Sequence, residues 1–120
     1  MANEITLNLS LAVRKGFLVH REDPGPITVD LVGNNATGGV QNIGTTGEAL
    51  SVTDLSTAGY AFFRNLGPTN YVDLGTGTTT FVAFARLKAG EVSIVRLGTN
   101  APTARANTAA VNLQYYILAD

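Results

Sequence analysis

The chain has 120 residues, no cysteine, 45% hydrophobic residues and a formal net charge of −1. This length points to one domain whose core buries about two-thirds of the unfolded surface without staples. The missing cysteines exclude disulfides and thiolate metal sites. The balance of charge lacks the basic footprint of a nucleic-acid binder and offers nothing to anionic lipid, and no apolar run approaches the ~20 residues of a membrane span.

Charged residues make up only 14% of the chain, against about 25% in an average soluble domain. Thr, Asn and Gly fill the gap, which suits strands and turns. A surface poor in ions is also cheap to desolvate against a partner. The N-terminus, MANEITLNLS, alternates and carries an acid where a secretory signal would carry bases, so no signal peptide is expected. On that basis the sequons Asn8-Leu9-Ser10 and Asn35-Ala36-Thr37 are read as chance.

Residues 4–13 (EITLNLSLAV) give the cleanest strand signal. Ile5, Leu7, Leu9, Leu11 and Val13 alternate with Glu4, Thr6, Asn8, Ser10 and Ala12. Arg14-Lys15-Gly16 then reads as a turn and Phe17-Leu18-Val19 as the start of a second strand. Residues 21–26 (REDPGP) form a stiff, charged loop, because two prolines and a glycine suit neither strand nor helix. Residues 27–32 (ITVDLV) alternate again, 33–39 read as a loop, and 40–44 as a short strand or a surface arm. Residues 48–54 (EALSVTD) suit a strand.

Residues 59–75 (GYAFFRNLGPTNYVDLG) are the densest aromatic segment. Two β-favouring runs joined by Gly67-Pro68-Thr69-Asn70 predict a hairpin, with Phe62 or Phe63 in the core and Asn65 anchoring the turn. Residues 79–87 and 92–97 read as a strand and its return around Lys88-Ala89-Gly90-Glu91, with Gly90 at positive φ. Residues 98–108 read as a polar Ala/Thr-rich segment broken by Pro102. In residues 110–119, Val111, Leu113, Tyr115 and Ile117 share one strand face, and Asn112, Gln114, Tyr116 and Leu118 the other.

No segment shows a helical apolar period. About eight to ten short antiparallel strands with closely spaced turns predict an all-β fold, a single-domain β-sandwich. A jelly roll is the first expectation and an immunoglobulin-like sandwich the alternative. Residues 1–120 are read as one β domain. Residues 1–15 are an ordinary strand of that domain or, as the alternative, an extended arm or exchanged strand.

Catalytic patterns are missing, and no enzyme is expected. A single His20 precludes HExxH and any two-His metal site, and there is no GxSxG elbow. Gly75-Thr76-Gly77-Thr78 lacks the lysine of a phosphate loop. Glu22 and Asp23 beside His20 and Arg21 read first as a solvated loop, next as a partner-contact loop, and least as a metal or acid/base pair. Asp54 and Asp73 read as turn or strand-end residues. Tyr60, Tyr71, Tyr115 and Tyr116 read as core or interface aromatics before sugar-stacking ones. No catalytic, cofactor or metal residue is assigned.

Taken together, several segments carry a resemblance. They are Gly39-Val40-Gln41-Asn42-Ile43-Gly44-Thr45 with Glu48, and Gly59-Tyr60-Ala61-Phe62-Phe63-Arg64-Asn65-Leu66 with Thr69-Asn70-Tyr71-Val72. Leu87-Lys88-Ala89-Gly90-Glu91 with Arg96-Leu97, and Tyr115-Tyr116-Ile117-Leu118, complete them. This order resembles small virion structural proteins of tailed bacteriophages, most clearly from Gly39 onward. The resemblance implies a non-enzymatic capsid decoration or cement protein. Such a protein binds the assembled major capsid protein on the shell exterior and is itself a small homo-oligomer, a trimer first. A tail- or fibre-associated virion protein and a carbohydrate-binding module are the alternatives. No cofactor, nucleic acid or membrane is implied. The candidate contacts are Glu4, Thr6 and Asn8 on the first strand, which could add to a capsid sheet edge, and Arg21, Glu22, Asp23 and Pro24 in the stiff loop.

Overall fold

The computed structural model describes residues 3–52, 55–98 and 101–120. All the regular structure in them is β, in twelve strands. Contacts divide the chain into two units, Met1–Val32 and Gly33–Asp120.

The second unit holds β5 (Ala36–Ile43), β6 (Glu48–Ala49), β7 (Ala58–Asn65), β8 (Val72–Thr76), β9 (Val82–Leu87), β10 (Val92–Arg96), β11 (Thr103–Ala106) and β12 (Val111–Ala119). They form two four-stranded sheets, β10-β7-β12-β5 and β6-β11-β8-β9, with every pair antiparallel. Counted from β5 as the first of the eight, the orders are 6-3-8-1 and 2-7-4-5. That is the interleaved double Greek key of a jelly roll. The core between the sheets is built from Ile43, Phe63, Val72, Leu74, Leu113 and Ile117, all without solvent exposure. The alternation in β12 is realised as expected: Val111, Leu113, Tyr115 and Ile117 point inward, and Asn112 and Tyr116 are exposed.

The segment 59–75 is not a hairpin. β7 lies between β10 and β12, and β8 lies in the other sheet between β11 and β9. Gly67-Pro68-Thr69-Asn70 is therefore a corner between sheets, and turn chemistry alone does not distinguish the two. Asn65 fixes the corner. It is fully buried, donates from Nδ2 to Asn70 O and Leu87 O at 2.9 and 3.0 Å, and accepts from Gly67 N at 2.7 Å. Of the two phenylalanines, Phe63 is the core residue and Phe62 faces outward.

The turn at 88–91 forms with Gly90 at φ 80, closed by Glu91 N donating to Lys88 O at 3.0 Å. It too links the sheets, because β9 and β10 are edge strands of different ones.

Three boundaries also differ from the sequence reading. The 33–39 loop is shorter, since β5 begins at Ala36. Gly38 belongs in that strand because a Cβ there would lie 2.7 Å from Tyr115 O and run into the Tyr116 ring. The strand expected over 48–54 reduces to Glu48–Ala49, and Asp54 lies outside the described residues. The segment 98–108 contains β11, whose Thr103, Ala104 and Ala106 are buried, so small side chains mark an interior strand.

The first unit holds β1 (Ile5–Leu7), β2 (Leu11–Lys15), β3 (Leu18–Glu22) and β4 (Ile27–Val29). β1 pairs with β4, and β2 with β3. The strand expected over 4–13 is thus interrupted at Asn8, Leu9 and Ser10. Its two halves pair with different partners, and none of the described residues 3–32 is buried.

Candidate functional site

Gly16, at φ 58, opens the two-residue loop between β2 and β3, the position that a type II′ turn gives to glycine. Phe17 follows at the tip and is fully exposed, at 108%. Leu11, Val13, Leu18 and Val19 on the same hairpin are exposed as well. Such an isolated two-stranded ribbon is marginal in water without a third element against it.

All the candidate contact residues fall in this first unit. Glu4 accepts from Leu31 N at 3.1 Å, and Thr6 stands opposite Thr28. Arg21 and Glu22 end β3. His20 Nε2 lies 2.7 Å from Glu22 Oε1, and Arg21 donates to Asp23 Oδ2 at 2.9 Å. Asp23 Oδ1 accepts from Gly25 N at 3.0 Å. The Arg21 bond first, and the Gly25 N–H second, hold the Asp23 carboxyl below the usual carboxylate range. Pro24 is exposed within this braced turn. Asn8 and Ser10 border a shallow depression with Asp23 and Pro26, so Asn8 and the stiff loop come together. Glu4 and Thr6 do not border it.

In the second unit, the outward face of β10-β7-β12-β5 is unusually apolar. In register it presents Val92, Arg64, Gln114 and Val40 in one row, and Ile94, Phe62, Tyr116 and Gly38 in the next. A sheet face turned to water is normally polar. Charge-poor patches rich in Tyr, Phe and Arg are the composition of protein interfaces.

The outward side of the other sheet carries Arg86, Asp73 and Arg105 in register on β9, β8 and β11. Asp73, expected at a turn or strand end, is the second residue of β8 and a buried carboxylate. Arg86 pairs with it twice, at 2.8 and 3.2 Å, and this bond holds the guanidinium above its already high range. Arg86 also lies 3.8 Å over the Tyr71 ring, and Arg96, paired to Asp120 at 3.1 Å, lies 4.5 Å over Tyr60. Each of these tyrosines therefore has one ring face taken. Tyr115 is a core residue whose hydroxyl donates to Ser51 O at 3.0 Å, and Tyr116 is exposed.

The hairpin tip and the outward sheet face were not legible as surfaces in the sequence. β1 and β4 lie in the same unit but pair with each other, so no third strand joins β2 and β3 beside Leu11, Phe17 and Val19. Among the described residues no three His, Cys, Asp or Glu side chains are placed to hold a metal. The arrangement can bury apolar surface against another protein, with braced charges at its margin. No family model, curated protein or solved structure matches the chain.

Proposed function

We propose that this chain is a non-enzymatic bacteriophage virion protein, a capsid decoration protein that binds the assembled major capsid lattice from outside and stabilises it. The observation that carries this reading is the first unit. Its described residues include no buried one, yet it displays Leu11, Val13 and Val19 beside the braced Asp23-Pro24 turn. The buried core belongs to the jelly roll. Binding to the lattice and not to free subunits stabilises a shell by mass action, and many copies multiply the effect.

The test is co-sedimentation with purified shells of the phage that encodes the chain. The expected result is saturable binding to assembled shells, no binding to free capsid subunits, and a higher temperature of shell opening. Recovery from tail fractions, with none on shells, overturns it.

A further inference from the structure

We infer that the hairpin tip of one copy inserts Phe17 into an apolar notch in the jelly roll of a second copy. This gives a contact for the homo-oligomer that the resemblance implies, and it does not depend on a capsid.

The notch lies where β9 and β10, the edge strands of the two sheets, part at one end. Phe84, Val95, Leu97 and Pro102 line it, with Gly75 and Ala101. Its size follows from local structure. The register of β8 on β9 shifts between Leu74 and Gly75, which leaves Phe84 unpaired, as in a β-bulge, and 54% exposed. Gly75 is held against the Val82 carbonyl, where no side chain has room. Val95 and Leu97 pack on the core from beneath, so the notch opens onto apolar interior.

It measures about 440 Å³. An apolar cavity of about 150 Å³ already takes a benzene ring, so a phenylalanine side chain enters with room for a neighbour such as Leu18.

The occupant is argued from three observations. Phe17 is fully exposed beside Gly16 at the turn, so an apolar knob of the right chemistry is present on every copy. The hairpin behind it lacks the covering surface a two-stranded ribbon needs. The Arg96 at the rim is paired to Asp120, which leaves little net charge to repel Arg14 and Lys15 near the tip. A knob and a hole at different places on one chain make a heterologous contact, which closes into a ring when the rotation permits.

The experiment uses the full chain, whose lack of cysteine makes single-cysteine chemistry clean. Sedimentation of the wild type should show concentration-dependent oligomers. Phe17→Ser should weaken self-association at least about ten-fold, with the melting temperature of the jelly roll unchanged. Lys15→Cys and Gly98→Cys chains, mixed and oxidised, should form the mixed disulfide in preference to either homodimer. The double variant should give linked multimers. A wild type that stays monomeric overturns the inference whatever it does with shells. So does an internal disulfide in the double variant, or Phe17→Ser protein that self-associates normally and loses only shell binding.

Discussion

Asp73 and Arg86 stand opposite each other across β8 and β9, joined by Arg86 Nε to Oδ1 at 2.8 Å and Nη2 to Oδ2 at 3.2 Å. The pair is lopsided. The carboxylate side chain is 5% exposed, the guanidinium 53%. Losing the cation strands a buried anion, whereas losing the anion leaves a cation that water can reach. Arg86→Ala should therefore lower the melting temperature clearly. Arg86→Lys should recover only part, because an ammonium cannot make the two parallel bonds. Adding Asp73→Asn to Arg86→Ala should restore some stability, since an amide costs less to bury than an unpaired carboxylate. Thermal unfolding of the four chains checks the order.

Asn65 holds the corner between the sheets with its whole amide. Asn65→Ala removes two donors from Asn70 O and Leu87 O and the acceptor for Gly67 N. The expected loss is about 3 kcal/mol in urea unfolding. Asn65→Asp should be no better, because a carboxylate repels the two carbonyls that the amide served.

The core cluster lies entirely between Ile43 and Ile117. A chain beginning at Gly33 should keep the far-ultraviolet signature of a β-sandwich and unfold cooperatively within a few degrees of the full chain. It should lose binding to shells. Retained binding would move the contact to the outward sheet face around Phe62 and Tyr116.

The Asp23 carboxyl is held low by Arg21 and Gly25 N–H. A carboxyl depressed by folding contributes order above its unfolded pKa and loses it as pH falls through the folded value, which here lies under the ordinary carboxylate range. Arg21→Ala should move the titration of Asp23 upward in carboxyl ¹³C NMR and loosen the Asp23-Pro24-Gly25 turn. An unmoved midpoint would place the cause elsewhere.

The sequence carries local periodicity well and pairing poorly. The alternation of Val111, Leu113, Tyr115 and Ile117 named the core face of β12 correctly, because a large side chain at every second position has one physical reading. β11 escaped notice because Thr103, Ala104 and Ala106 are small and follow a proline. They are buried by the close approach of their neighbours, not by their own bulk. The 59–75 segment reads as a hairpin because Gly, Pro and Asn serve hairpins and corners alike. Which one forms depends on strands elsewhere in the chain, here β12 beside β7 and β11 beside β8. For the same reason Asp73 gave no hint of burial: Arg86 becomes its neighbour only after β8 and β9 pair. At the candidate site, the polar residues Arg21, Glu22 and Asp23 drew attention through their charge. The exposure of Phe17 is a property of topology, since only an uncovered ribbon leaves such a residue in water.

β12 runs between β5 and β7, which do not pair with each other. During synthesis those two strands wait, unjoined, until Val111–Ala119 has left the ribosome. Before that moment β7 has only β10 beside it, and its other edge stands open. The sheet β10-β7-β12-β5 is thus complete only when β12 joins it, after each of its other strands has been made.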